Sequence, residues 1–343
     1  MELMLVGGIT LVIFPLAWLL RASFGLDAAQ YAAGFLTFNA AYVVNDPHFT
    51  VTYLLFYKDV RARLKNPRFV IAGFAVPVLL VSWAAFALVT RNAQLLGWMV
   101  QLMYLLVGWH YAKQGFGVLT VLSARRGVRI EGRTRAAVLF HAYAGWAFAW
   151  ANPATPAGEF EEKGVVYWAP PHPRWFEIAT GTVFAVSTLL LLVVLYRSRK
   201  QRLPWAPLFA FLVTVWAWTI FTTIDPVVVY FIPLLHSVQY LYFVWLMKRN
   251  EARAEEGPPR FGRPVAVRLG ILALSAVGLA WLLFHGVPDF LDLAVTRRFP
   301  PSESLGATPF LAAFFVFVNL HHYFMDTVIW RRENPDTRWL RDP

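Results

Sequence analysis

Residues 310–332 read FLAAFFVFVNLHHYFMDTVIWRR, and the change of character within this stretch decides what kind of protein the chain is. An apolar run gives way to Asn319, the adjacent His321 and His322, and Asp326, then stops at Arg331 and Arg332. A helix bathed in lipid does not carry such groups without consequence, because ionisable side chains inside a bilayer are costly. Either the stretch is a helix end at a membrane surface, or its polar face looks onto something buried.

The remainder of the chain sets the context. Of its 343 residues, 58% are hydrophobic and 15% charged, with a mean hydropathy of +0.50. Soluble domains carry about a quarter charged residues. The expectation is an all-α, polytopic integral membrane helix bundle forming a single transmembrane domain over residues 1–343. Ten apolar stretches predict ten spans: 3–20, 31–57, 69–90, 95–122, 136–151, 176–196, 205–224, 227–247, 266–285 and 308–330. The fifth is short and suits a tilted or buried segment. The first, LMLVGGITLVIFPLAWLL, is too long for a signal-peptide core and lacks a basic start and a small-residue cleavage site. IDPV separates the seventh and eighth, with Pro226 suited to open the next helix. The loop sequence PDFLDLAVTRRF predicts a short interfacial helix.

The net charge of +11 is a topology signal. Segments 58–68, 123–135, 197–202, 248–268 and 331–343 hold five, five, four, six and four of the 31 lysines and arginines, 24 together. The alternate loops hold only Arg21, Arg91, Lys163, Arg174, Arg297 and Arg298. The positive-inside rule then puts both termini in the cytoplasm, in agreement with an even number of spans. The expected location is the inner (plasma) membrane of a bacterium. Basic segments at the membrane surface attract anionic lipid headgroups, so membrane lipids are expected partners and nucleic acid is not.

Counting inward from the cytoplasmic helix ends aligns the histidines. His48 lies about nine residues in, His110 about twelve, His236 about eleven, and His321 and His322 about eight or nine, which at ~1.5 Å per residue is roughly 12–18 Å from the boundary. Four separate helices thus place histidine in one layer. His141, about six residues in at ~1.5 Å each, is near enough to join or support it. His172 and His285 fall on the other side and are excluded.

Each of the aligned histidines has polar neighbours at helical spacing. On the last span, Asn319, His322 and Asp326 share a face, whereas His321 points about 100° away. A carboxylate four residues on can orient an imidazole through its second nitrogen. Asn45 lies three before His48, Asp46 is a candidate ligand or proton carrier, and Pro47 frees a carbonyl in the preceding turn. Lys113 and Gln114 follow His110, and Gln239 and Tyr240 follow His236. The predicted metal ligands are His48, His110, His236 and His322, with His321 and His141 as lesser candidates. Asp326, Asn319, Asn45, Asp46, Gln114, Lys113, Gln239 and Tyr240 would orient them or relay protons. The bland reading is that the histidines bond across helices and that Asp326 pairs with Arg331.

The chain contains no cysteine, which excludes disulfides, thiolate ligands and iron–sulfur clusters. Imidazoles alone suit Fe, Cu, Zn and Ni. A site in the cytoplasmic half favours iron, which reducing cytosol can supply and keep ferrous. O₂ and a lipophilic substrate can enter from the bilayer, and an electron donor would complete the system. The expectation is a metal-dependent oxygenase, hydroxylase or desaturase. The HxxxH and HxxHH clusters of histidine-box desaturases are missing. In its sparse histidines on separate helices and its lack of cysteine, the chain resembles the bacterial membrane carotene dioxygenases of the Brp/Blh type. That resemblance implies a single iron held by histidines from several helices. Two other classes fit the same residues: a haem protein with two axial histidines, and a proton-coupled transporter using histidines, Asp46, Lys113 and Asp326 as a relay.

Overall fold

The computed structural model describes residues 4–153, 157–298 and 301–340. The start of the first expected span at residue 3, parts of loops 152–175 and 286–307, and the end of segment 331–343 lie outside the described residues. The helices are α1 (Thr10–Phe24), α2 (Leu26–Ala40), α3 (Asp46–Phe56), α4 (Pro67–Val89), α5 (Ala93–Arg125) and α6 (Gly132–Ala151). They continue with α7 (Arg174–Arg197), α8 (Trp205–Ile224), α9 (Pro226–Glu256), α10 (Val265–Thr296) and α11 (Pro309–Ile329). A π-helical turn, Ala41–Asn45, joins α2 to α3.

Helix occupies every apolar stretch singled out in the sequence. Six of these helices (α4, α7, α8, α9, α10 and α11) are long and apolar enough to cross a membrane. The α2–α3 segment, α5 and α6 fall short in composition because they carry polar residues such as Asn39, Gln101, His110 and His141. The short α6 is largely buried along the face holding Thr134, Val138, His141 and Gly145. Residues 288–296 of the expected interfacial helix belong to the final turns of α10.

The chain folds as two units. The first comprises Met1–Ala40, Gly108–Pro156 and His172–Tyr242. Its α1 and α2 pack small side chains, Ala17, Ala29 and Ala33, against Val227, Val228 and Phe231 at the start of α9. Asp225 caps that start by accepting from the Val227 amide at 3.1 Å, and Pro226 opens the helix where no amide donor is needed. Polar contacts stitch α6 to α7 and the turn after it, with Thr134 and Ser198 hydroxyls 3.2 Å apart and His141 3.0 Å from Ser187.

The second unit comprises Ala41–Val107, Ala157–Pro171 and Phe243–Pro343. Here α3 packs on α10 and α11, and the Thr50 hydroxyl donates to the Ala276 carbonyl at 2.7 Å. The N-terminus of α11 is capped from another helix. Asp292 accepts from the Phe310 and Leu311 amides at 2.8 and 2.9 Å, satisfying two of the donors that every helix start leaves open.

Loop 152–175, where no strand is expected from the sequence, contains an antiparallel hairpin, β1 (Gly158–Glu162) and β2 (Val165–Ala169). Its two-residue turn, Lys163–Gly164, has positive φ at both positions, the geometry that matches strand twist. Gln94 of α5 clasps the Trp168 backbone, donating to its carbonyl and accepting from its amide, each at 2.9 Å. Tyr104 donates to Glu162 at 2.5 Å.

Candidate metal centre

Two pairs of histidines are built separately by the two units. In the first unit His110 on α5 and His236 on α9 are 3% and 2% exposed, with their Nε2 atoms 3.0 Å apart. The Tyr111 ring lies against His236, centroids 4.2 Å apart. Gln114, one turn beyond His110, donates to the His236 backbone carbonyl at 3.1 Å and to the Gln239 side chain at 3.0 Å. Gln114 and Gln239 therefore fix α9 against α5 one turn from the two imidazoles. Tyr240 is buried on α9, and the Lys113 ammonium lies over the Trp109 ring, 4.3 Å from its centroid.

In the second unit His48 on α3 and His322 on α11 are 1% and 0% exposed, their rings edge to face at 4.5 Å. Phe49 closes around both, at 4.6 and 4.9 Å. One His48 nitrogen bonds the Asn45 backbone carbonyl. A carbonyl can only accept, so that nitrogen carries the proton and the other presents its lone pair. Behind His322, the Asp326 carboxylate approaches Nε2 at 3.4 Å. Asn319, on the same helix face, donates to the Phe315 carbonyl at 2.8 Å and accepts from Tyr323 at 3.3 Å.

The four buried residues His48, His110, His236 and His322 each offer a ligand nitrogen and could hold a metal ion. Metal–imidazole bonds of about 2.0–2.1 Å set adjacent ligand nitrogens roughly 2.9–3.4 Å apart and opposite ones roughly 4.1 Å apart. The His110–His236 separation of 3.0 Å falls in the first range.

The other candidates are engaged elsewhere. His321 Nε2 lies 3.1 Å from the Ala72 carbonyl and must donate to it, so Nδ1 accepts from the Tyr53 hydroxyl at 3.0 Å. Both ring nitrogens are thereby occupied, and His321 has none left for a metal. His141 bonds Ser187, whose own proton goes to the Phe184 carbonyl at 2.7 Å, so the imidazole Nδ1 is the donor there. Its ring stacks on Phe184 at 4.9 Å. Asp46 faces His285, 3.5 Å away, and the His285 ring stacks on Tyr42 at 4.7 Å. Depth counting sets His285 apart; only the fold brings it to Asp46. Comparison with protein-family models, curated proteins and solved structures gives no match.

Proposed function

We propose that this chain is a membrane-embedded, metal-dependent oxidoreductase, an oxygenase, hydroxylase or desaturase, that holds iron and acts on a lipophilic substrate. The observation that carries the reading is the set of four buried histidines that could hold a metal ion, His110 and His236 with their Nε2 atoms 3.0 Å apart. An all-nitrogen set in a chain without cysteine suits Fe, Cu, Zn or Ni. The bilayer setting favours iron, because O₂ and apolar substrates both concentrate there.

In this reading His48, His110, His236 and His322 hold the ion, which supplies redox chemistry and a place for O₂ to be activated. Four neutral ligands leave the ion's double charge uncompensated in a buried site, where unpaired charge is costly. Asp326 supplies negative charge beside His322 and raises the basicity of that ring. The Asn45 carbonyl does the same for His48 without adding charge. Phe49 packs against His48 and His322, and Tyr111 against His236.

A haem is disfavoured by the spacing. Its axial imidazoles sit on opposite sides of a plane, nitrogens roughly 4 Å apart with the macrocycle between. Two nitrogens at 3.0 Å leave no such gap, and a porphyrin could use only two of the four histidines. A proton relay is disfavoured because Lys113 is turned onto Trp109 and Asp46 onto His285. We further propose ten spans with both termini cytoplasmic, on the strength of the basic-loop alternation.

The test pairs elemental analysis with product analysis. Purified protein is expected to contain stoichiometric iron and to show no Soret band. Lipid extracts of expressing cells are expected to contain an oxygenated or dehydrogenated product that disappears with His322→Ala. Iron-free protein, or a product unaffected by His322→Ala, would contradict the proposal.

A further inference from the structure

A charged cavity in the second unit takes no part in the metal centre. It has a volume of about 490 Å³, within the usual range for small-molecule sites. The end of α3, the last turns of α9 and the start of α10 line it. At one end stand four cations, Lys58, Lys248, Arg263 and Arg268, with Glu251 among them. Glu251 accepts from Lys58 and Lys248, both at 2.7 Å, and Glu255 accepts from Arg268 at 2.5 Å. Asp59 and Asp336 also act on Lys58, Asp336 being paired with Arg63 at 2.9 Å and Glu255 also with Arg260 at 3.3 Å, so four carboxylates stand against the four lining cations, Arg63 and Arg260, and a net positive charge is left. Arg263 is exposed at its edge. Burial acts to lower the Lys58 ammonium, but the bond to Glu251 overrides it and holds the group above the ordinary lysine range. The cation therefore persists at neutral pH.

The other end of the cavity is apolar. Leu54 and Leu272 line it, and Ile271, 47% exposed, carries that surface outward along α10 to Leu274, 76% exposed. A cavity that is cationic at one end and runs into an exposed apolar helix face at the other has the shape of an amphiphile. We propose that it binds one anionic phospholipid, with the phosphate among Lys58, Lys248 and Arg263 and an acyl chain along the exposed face of α10. Basic side chains at a membrane surface each favour anionic lipid by about 1 kcal/mol. Here they are gathered around a volume large enough to seat the headgroup rather than spread over a surface.

Native mass spectrometry of the full-length protein in detergent tests this, using phosphatidylglycerol and phosphatidylcholine with identical acyl chains. One phosphatidylglycerol is expected to be retained about tenfold more strongly than phosphatidylcholine, with the preference lost in Arg263→Glu. Arg263→Gln, which only removes the charge, is expected to reduce it about fivefold and serves if the reversal does not fold. Millimolar inorganic phosphate is expected to leave the lipid in place. Equal retention of the two lipids, or a preference that survives both variants, would overturn the assignment. Displacement by inorganic phosphate would identify a free-phosphate site and overturn it too. None of these readouts depends on the metal.

Discussion

His321 and His322 are neighbours in sequence with opposite employment. His322 faces His48 across 4.5 Å and has Asp326 behind it, whereas His321 spends both nitrogens on Tyr53 and the Ala72 carbonyl. His321→Ala should therefore leave metal content unchanged but destabilise the fold by about 1–3 kcal/mol, because it strands a buried carbonyl and a hydroxyl. Thermal unfolding in detergent beside elemental analysis separates the two effects. Metal loss in that variant would mean His321 is a ligand. Asp326→Asn keeps the shape of the side chain and removes its charge; metal affinity should fall about 10–100-fold, measured by competition with a chelator. At this scale the sequence is informative where the helix is regular. A constant rise per residue lets counting from the basic ends bring His48, His110, His236 and His322 to one depth, and the 100° step separates His321 from His322. It cannot reveal that Asp46 meets His285, since that depends on how α3 and α10 pack.

The least legible elements are those that break regular helical spacing. In α4 the π-helical turn Ile71–Ala75 displaces carbonyls from their usual partners. The Ala72 carbonyl takes the His321 proton, and the Gly73 carbonyl takes the Tyr57 hydroxyl at 2.6 Å. In the run FVIAGFAVPVLL the one signal is Pro77, which has no amide to bond the Gly73 carbonyl; the hydrophobic pattern reports burial and not hydrogen-bond register. Gly73 itself is explained by close approach: a Cβ there would meet Cε1 of Phe56 at 2.6 Å. Gly73→Val should cost about 1–3 kcal/mol through overpacking. An unchanged melting temperature would show that Phe56 can move aside. The hairpin β1–β2 is likewise hidden, its Lys-Gly turn signal lying in a loop read for charge rather than for strands. Asp292→Ala removes the acceptor for two α11 amides and should cost about 1–2 kcal/mol, again read from unfolding.

For the whole molecule, composition alone carries the membrane assignment, and among the described residues six helices meet the length and hydropathy that crossing requires. Of the remainder, α1 is apolar but short, and α2–α3, α5 and α6 are less apolar because of polar side chains such as His110 and Asp46, so the features that identify the site also blur the count of spans. The absence of native cysteine makes the topology directly testable. A cysteine at Lys200→Cys should react with an impermeant maleimide only after the cells are opened, and one at Glu159→Cys should react on intact cells; the reverse pattern would invert the proposed orientation. The central claim is that His48, His110, His236 and His322 hold one ion. It is tested most directly by elemental analysis of the purified wild type and of the four single His→Ala variants, with circular dichroism to show that each remains folded. The account predicts near-stoichiometric transition metal in the wild type, iron foremost, and its loss from each folded variant. A metal content unchanged across all four, or absent from the wild type, would contradict it.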